Sequence, residues 1–365
     1  MELMGQPKET LWASQPRTLL KHQVYRQYLH CWMGKICQTF RSSAIVDAFA
    51  GPGTYLDGPD GSPMVIAKTF LEHSHLKRFH QLRLICLEER PDRRESLDNR
   101  LTSLPKLPRL DVKVPPAGTV RDYFRRLHEV AHGGDPQTPV LWILDPFDIS
   151  SVPFGLVRAC LDSPRDEVLV TWFADELYRF RGDIAKEHAI DLHFGRAAWQ
   201  QTRQVTGEAR CKAELLKIYQ ESLQSLPRVH AGAFEIASKN ETARYALILA
   251  THSDAGLACF NQMKWRMDPY LGRQASEKRL DQPSLFDDDP DLSPLRPWLE
   301  SLAGSAMSFH DLTRQALRRG YKETHLRTAL TALEHDGLAI REEPLDYSRT
   351  PWPADSKIRF YQPPG

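Results

Sequence analysis

Residues 42–53 read SSAIVDAFAGPG, and this stretch decides the fold. A short, β-rich apolar run ends near Phe49 and leads into a bend that contains Gly51 and Gly53. Small residues in such a bend let the backbone approach a ligand closely. In doubly wound sheets the ligand lies outside the carboxyl ends of the strands, where the strand order reverses. The stretch therefore predicts a ligand-binding turn after the first core strand, with a tight turn that holds no ligand as the alternative.

Further strand-like runs alternate with helical stretches downstream of this bend. Near-continuous apolar strands of this kind predict a parallel sheet covered on both faces. The last two runs are separated only by a short turn around Asn240, so they must pair antiparallel. Five parallel-type strands with a terminal hairpin predict a class I methyltransferase-like α/β fold, which is a Rossmann-type doubly wound sheet. The runs are LRLICLE (82–88), LDVKV (110–114), PVLWILD (139–145), EVLVTWF (167–173), AFEIAS (233–238) and RYALILAT (244–251).

The chain divides into a sheet domain, a linker and a C-terminal domain. An amphipathic helix over 16–38 precedes the sheet, and Ser62 is predicted to cap the helix after the bend. The C-terminal order of helices broken at Gly320 and Gly337, followed by a β-ribbon, predicts a winged helix-turn-helix. The predicted parts are a sheet domain at 1–271 with a helical insertion at 175–226, a flexible acidic linker at 272–297, and a winged helix at 298–365.

The composition is that of a soluble globular protein. The 365 residues carry 48 basic and 47 acidic side chains, a net charge of +1, which excludes a disordered chain and a large one-signed field. No apolar run approaches the ~20 residues that span a bilayer, and the N-terminus has no secretory pattern, so we predict a cytoplasmic protein without a membrane partner. The six cysteines form no C-x-x-C, which favours reduced, buried thiols, and we predict no metal site.

The bend and an acidic residue one strand later predict an adenosine-containing cofactor. A carboxylate after the second strand can accept both ribose hydroxyl hydrogens. The loop lacks the Lys-Ser/Thr of a phosphate-binding loop, which favours S-adenosylmethionine over a nucleoside triphosphate. The longer segment Thr54–Gly61 either covers the ligand or remodels the pocket for another molecule. The predicted cofactor-binding residues are Asp47, Phe49, Ala50, Gly51, Gly53 and Glu88.

Asp145-Pro146-Phe147 follows the fourth strand. Nucleic-acid amino-methyltransferases carry D/N-P-P-Y/F here, where the acid accepts hydrogens of an exocyclic amine and the aromatic ring stacks on a flipped base. This chain has one proline, so the aromatic residue is displaced by one position. We predict Asp145, Pro146 and Phe147 as catalytic residues. The alternative is a strand-end aspartate that caps the next turn.

The sequence resembles the three-Cys-motif partner protein (TcmP) family over about residues 20–268. The resemblance implies a methyltransferase-like sheet that acts with a radical-S-adenosylmethionine-like protein carrying three cysteines. It also implies that Asp47, Gly51, Gly53 and Asp145 line the pocket. The matching stretches are Lys21-His22, Tyr28-Leu29, Trp32, VDAFAGPGTY, GSPMVIA, ILDPF and YALILATHSDAGL.

The Lys21-His22 pair implies His22 as a catalytic proton-transfer group near neutral pH, although a Lys-His step on a helix is otherwise solvated surface. Asp148 stands where family members usually have glycine after D-P-F or D-P-Y.

Two further features point to DNA. The linker pentapeptide QPSLF resembles the Q-x-S/D-L-F peptides that dock bacterial enzymes on the β sliding clamp, through Gln282, Leu285 and Phe286; folding back onto the protein is the alternative. Basic residues around the helix-turn-helix predict contacts to DNA phosphates, with a protein-docking winged helix as the alternative. They are Arg314, Arg318, Arg319, Lys322 and Arg327.

The leading hypothesis is a methyltransferase-like protein that binds S-adenosylmethionine and acts on nucleic acid, with DNA as the favoured target, in modification or repair. It would work with the three-Cys-motif radical partner and the clamp. The alternative is a catalytically silent DNA-binding adaptor that recruits the partner enzyme.

Overall fold

The computed structural model describes residues 7–237, 243–277, 289–343 and 352–362. The chain divides into two compact units. The first unit comprises Met1–Cys259 and Gln274–Ser284, and the second comprises Phe260–Arg273 and Leu285–Gly365. Within the described ranges, each helix is too short or too polar to cross a bilayer.

The first unit is built on a mixed sheet. Its strands in the described residues are β1 (Ser42–Asp47), β2 (Gln81–Cys86), β3 (Leu110–Lys113), β4 (Val140–Leu144), β5 (Asp166–Trp172), β6 (His230–Ala237), β7 (Ala243–Thr251) and β8 (Gln274–Ser276). Their order is β3-β2-β1-β4-β5-β7-β6-β8. β1 to β5 run parallel, and β7 runs antiparallel between β5 and β6. This mostly parallel order resembles the class I methyltransferase fold and confirms the predicted sheet.

One helix precedes this sheet, and the others lie in the connections between its strands. They are α1 (Pro16–Thr39), α2 (Ser62–Leu71), α3 (Pro91–Thr102), α4 (Val120–His132), α5 (Phe154–Ala159), α6 (Ala174–Phe180), α7 (Glu187–Phe194), α8 (Glu208–Gln224) and α9 (Asp254–Met267). The predicted N-cap of α2 is wrong by one residue, because Gly61 takes the extended cap conformation and Ser62 is the first helical residue. Between β5 and β6 lie α6 to α8, in the part of the chain where a helical insertion is predicted.

A buried carboxylate joins α1 to the sheet. Glu167 of β5 is 5% exposed and accepts hydrogen bonds from three side chains. These are Tyr28 Oη at 3.2 Å, Trp32 Nε1 at 2.6 Å and Thr251 Oγ1 at 2.5 Å. Since α1, β5 and β7 each supply a member, the network fixes the amphipathic helix on this part of the sheet. Burial raises the pKa of Glu167, and the three donors oppose that shift.

Gly256 leaves room for this network. A methyl group added there would lie 1.9 Å from Glu167 Oε1 and 2.9 Å from Thr251 Oγ1. We expect Gly256→Ala to lower the free energy of unfolding by about 1–2 kcal/mol, because the locked carboxylate must shift. In the control Gly155→Ala, the added methyl meets no heavy atom within 4 Å and should be neutral or slightly stabilising. Urea denaturation measures both variants, and equal shifts would contradict the explanation.

The prediction of six reduced cysteines is wrong for one pair. Cys31 of α1 and Cys259 of α9 form a disulfide, with Cα atoms 5.5 Å apart. They are 228 residues apart in sequence, so no local spacing marks them. The cytoplasmic location loses the support of reduced thiols and stays a prediction. The free cysteines among the described residues are all buried: Cys37, Cys86, Cys160 and Cys211.

The predicted linker is wrong at its beginning. Residues Gln274–Ser276 form β8, which pairs parallel with β6 at the edge of the sheet. Ala275 and Ser276 are 2% and 4% exposed. Three residues are too few to show the alternating pattern of a strand, so the sequence did not reveal it.

Besides the end of α9, which lies in Phe260–Arg273, the second unit contains three helices and a three-stranded antiparallel sheet in its described residues. They are α10 (Leu295–Glu300), β9 (Ala306–Ser308), α11 (Phe309–Arg318), α12 (Glu323–His335), β10 (Ala339–Glu343) and β11 (Lys357–Phe360). The sheet order is β10-β11-β9, and β9 was not predicted. Leu312, Leu330 and Trp352 are central in its apolar core. The predicted helix breaks are confirmed, because Gly320 and Gly337 take positive φ after α11 and α12.

Candidate functional site

The predicted site residues of the first unit lie around the carboxyl ends of β1, β2 and β4. β1 has β2 on one side and β4 on the other, so the order of the parallel strands reverses between β1 and β4. Asp47 ends β1, Asp145 directly follows β4, and Glu88 lies two residues after β2. Open α/β sheets bind their ligands at such a switch point.

The glycine bend and the acid after β2 are directly connected. Gly51 and Gly53 have φ of +62° and +78°, a region that side chains rarely enter. The Gly51 N–H donates to Glu88 Oε2 at 2.9 Å, and the Arg90 N–H donates to Glu88 Oε1 at 2.9 Å. Glu88 is 4% exposed. Glu88, which is predicted to bind a ribose, therefore also holds the glycine bend in place.

Asp47 is buried and only half satisfied. Its Oδ1 accepts a long hydrogen bond from the Phe49 N–H at 3.4 Å. Its Oδ2 has no hydrogen-bond partner among the described residues. Burial raises the pKa of Asp47 to about 7; Ser62 opposes the shift and the Asp145 charge adds to it. The strand-end carboxylate thus offers an unused acceptor at the switch point.

Asp145 is engaged by two side chains from different elements. Lys21 of α1 forms an ion pair with its Oδ2, and Thr171 Oγ1 of β5 donates to its Oδ1 at 2.6 Å. The side chains of Lys21 and Asp145 are 12% and 14% exposed. The carboxylate that is predicted to bind the amine of a target base is therefore paired with the ammonium group of Lys21. Two tyrosines face the same ammonium, with ring centres about 6 Å away: Tyr25 and Tyr245.

The N-terminal segment covers the glycine bend. A methyl group added at Gly51 would lie 3.9 Å from Trp12 Cη2. The Trp12 ring packs edge-on against Phe147, with centroids 5.9 Å apart, and the Arg93 guanidinium lies 4.7 Å from the Trp12 ring centre. Arg93 is fully buried and donates to carbonyls of Pro7 and Glu9. This contact could not be predicted from the sequence, since nothing in the polar surroundings of Trp12 distinguishes it.

His22 is buried beside the same cover. It is 7% exposed, and its ring centre lies 6.0 Å from that of Tyr55. Burial lowers the pKa of His22 to about 4, and the Lys21 charge adds to the effect. The imidazole is therefore neutral at pH 7, so a proton-transfer role at this position would be that of a base.

Two loop residues have local structural roles. Asp148 caps a 3₁₀ helix by accepting from the N–H groups of Ser150 at 2.8 Å and Ser151 at 3.0 Å. Aspartate is a favoured residue for this capping role. Thr54 and Asp60 form a β-bridge that closes the predicted long loop on itself.

The predicted nucleic-acid contacts lie in the second unit, around the turn between α11 and α12. Arg327 donates to Glu323 at 2.6 Å, which offsets its charge. The guanidinium of Arg319 lies 4.2 Å from the ring centre of Trp298. Arg318 and Arg319 are exposed, and the other members are half-buried. The set is Arg314, Arg318, Arg319, Lys322 and Arg327. The predicted clamp peptide, with Gln282, Leu285 and Phe286, lies outside the described residues.

Two histidines spaced by four residues in α4 form a further cluster that is not among the predicted sites, and the prediction of no metal site did not take them into account. His128 and His132 lie beside Asp166 at the beginning of β5, and one ligand atom from each comes within 4.8 Å of the others. The signal was present in the sequence as His-Glu-Val-Ala-His at 128–132.

Comparison with known proteins gives only weak similarities. No family model and no curated protein matches the chain. A candidate O-methyltransferase from Klebsiella pneumoniae has a TM-score of 0.34 at 13% identity, over 62% of this chain and 79% of that one. Cofactor-bound Rv0187 from MTB has a TM-score of 0.33 at 13% identity, over 65% and 90%. The O-methyltransferase TomG from Streptomyces achromogenes, in complex with SAM, has a TM-score of 0.33 at 15% identity, over 66% and 92%. TM-scores this low identify neither a fold nor a ligand for this chain.

Proposed function

We propose that this protein binds S-adenosylmethionine and acts as a methyltransferase-like component of nucleic-acid modification or repair, with DNA as its target. One observation supports this proposal above the others: Asp47, the Gly51 bend and Glu88 meet at the switch point of a methyltransferase-like sheet. The stretches resembling the TcmP family support a three-Cys-motif radical enzyme as the partner.

The residues present fit the proposed cofactor. The two left-handed glycines allow a close backbone approach, and the unpartnered Oδ2 of Asp47 is a buried acceptor that a ligand donor would satisfy. Glu88 would meet the ribose hydroxyls, because a carboxylate has about four acceptor sites and two are in use. The holding residues would be Asp47, Phe49, Ala50, Gly51, Gly53 and Glu88.

The side chains near β4 give the proposed chemistry. Bound S-adenosylmethionine would supply an activated methyl group. Asp145 orients an exocyclic amine by accepting one of its hydrogens, which requires that Lys21 first release the carboxylate. Phe147 stacks on the target base once Trp12 moves from its edge. His22, neutral at pH 7, is a candidate acceptor for the proton that the amine loses.

The second unit is the proposed nucleic-acid contact. Its helix–strand–helix–helix–strand–strand order is that of a winged helix-turn-helix, in which α12 would enter a groove. Arg318 and Arg319 at the turn are exposed for phosphate contacts. Gln282, Leu285 and Phe286 would tether the protein to the sliding clamp.

Two contacts favour the alternative, a catalytically silent DNA-binding adaptor for the partner enzyme. Trp12 lies against the glycine bend, and Lys21 forms an ion pair with Asp145. An adaptor keeps both contacts permanently, whereas the enzyme must open them. Cofactor binding therefore separates the two functions.

Binding of labelled S-adenosylmethionine to the full chain tests the proposal. We expect one equivalent bound, loss of binding in Gly51→Arg because the new side chain fills the bend, and unchanged binding in the control Gly182→Arg, where an added Cβ meets nothing within 4 Å. A variant lacking residues 1–14 should bind about tenfold more tightly, because the cover no longer competes. No binding by this truncated variant at millimolar cofactor would overturn the cofactor assignment and favour the adaptor.

Methyl transfer to DNA and RNA then tests the reaction. The parent and Gly51→Arg are compared with and without the three-Cys-motif partner. Transfer to DNA by the parent alone or with the partner, lost in Gly51→Arg, supports the enzyme. Cofactor binding without transfer under either condition would overturn the proposed reaction.

A further inference from the structure

A cluster of two histidines and an aspartate lies near the amino ends of the parallel strands of the main sheet. His128 and His132 are one turn apart near the end of α4, and Asp166 is the first residue of β5. Their ligand atoms all lie within 4.8 Å of one another. Because β1, β4 and β5 run parallel, the beginning of β5 lies at the opposite end of the strands from Asp47 and Asp145. The cluster is therefore separate from the proposed cofactor site.

Hydrogen bonding orients His132 as a metal ligand. Its Nδ1 lies 2.9 Å from the His128 backbone carbonyl, which can only accept, so Nδ1 carries the proton and donates. Its Nε2 faces Asp166 Oδ1 at 3.1 Å. A carbonyl that fixes one ring nitrogen and directs the other at a cation is the usual support of a metal-binding histidine.

The separation of two of the three ligand atoms is compatible with a tetrahedral metal site. Metal–ligand bonds of ~2.0–2.1 Å place neighbouring ligand atoms about 3.3 Å apart, and the Nε2–Oδ1 separation is 3.1 Å. His128 is half-buried, so this member of the cluster is partly exposed to solvent. Trp142 Nε1 lies 3.4 Å from the second oxygen of Asp166 and helps to hold the carboxylate.

We propose that His128, His132 and Asp166 bind one divalent transition-metal ion, with Zn²⁺ as the best match. Two imidazoles and one carboxylate are a ligand set that zinc accepts, with water in the fourth position. The ion joins the end of α4 to the beginning of β5. In zinc peptidases with His-Glu-x-x-His, the glutamate is the general base. The residue at that position here, Glu129, is exposed, so the site is assigned a structural role rather than a hydrolytic one.

Titration of the chelator-treated full chain with Zn²⁺ tests this site. We expect one equivalent bound by calorimetry, a tetrahedral visible spectrum when Co²⁺ replaces Zn²⁺, and a rise in Tm on zinc addition. His128→Asn should weaken binding at least about tenfold and reduce the rise in Tm at a fixed zinc concentration, since loss of a ligand costs no less than loss of its support. His188→Asn, a change at an exposed histidine of the first unit, should bind as the parent does.

His128→Asn is the decisive variant because its side chain is half-buried and its loss leaves the His132–Asp166 pair in place. Asp166→Asn is the second variant, and far-ultraviolet circular dichroism verifies that each is folded. Equal zinc affinity in the parent and in folded His128→Asn, or an octahedral cobalt spectrum unaffected by these changes, would overturn the proposal.

Discussion

Asp47→Asn is expected to make the free energy of unfolding less dependent on pH. Between pH 4 and pH 7, the difference in this free energy between variant and parent should change by up to about 4 kcal/mol. Burial raises the pKa of Asp47 in the folded protein from its usual 3.8 to about 7, because it disfavours the charged carboxylate. A raised carboxyl pKa contributes stability that is fully present below the unfolded pKa and is lost as pH rises through the folded pKa. About three pKa units at 1.36 kcal/mol each give the upper limit.

The measurement is the free energy of unfolding of parent and variant in urea at unit steps from pH 4 to pH 8. The difference between the two curves isolates Asp47, because buried histidines that act in the opposite direction are common to both. His22 and His193, with pKa values lowered to about 4, are such groups. A difference that stays constant over this range would show that Asp47 ionises normally in the folded protein.

Lys21→Met should lower the free energy of unfolding at pH 7 by about 2–3 kcal/mol. It keeps an apolar stem but leaves Asp145 without its counter-charge in a site where both side chains are less than 15% exposed. The matched control is Lys217→Met, because the Lys217 pair with Glu214 is 3.8 Å long and that lysine is 64% exposed. Exposed pairs contribute little, so the control should change stability by less than about 0.5 kcal/mol.

A double-mutant cycle completes this test. Lys21→Met with Asp145→Ala should recover part of the loss, because the second change removes the charge that the first one left unpaired. Urea denaturation of the four proteins gives the coupling energy. Equal losses for Lys21→Met and Lys217→Met would show that the ion pair does not stabilise the closed site.

The sheet could be predicted because its strands are marked locally. Strands covered on both faces are near-continuous apolar runs, and the sequence located these strands to within three residues at each end. Asp47 and Glu88 could be placed because strand ends of a parallel sheet share one edge. β8 could not be found, since its burial depends on pairing with β6 and not on its own pattern.

The closed state of the site could not be predicted because its contacts join distant parts of the chain. Lys21 and Asp145 are 124 residues apart, and nothing in the segment of either one indicates that the two pair with each other. The position of Trp12 in the site likewise depends on its contacts with Gly51 and Phe147, which are distant from it in sequence. The motifs therefore indicated which residues line the site, while the residues that occupy it are determined by tertiary packing.

The bond between Cys31 and Cys259 has a practical consequence for fragmentation. A protease that cuts once anywhere between these two residues produces two pieces that remain covalently attached. Such nicked protein keeps the mobility of the intact chain on a denaturing gel until a thiol reductant is added. Limited proteolysis must therefore be read on reduced and non-reduced gels side by side, and a fragment released only in the reduced lane would identify the cross-link directly.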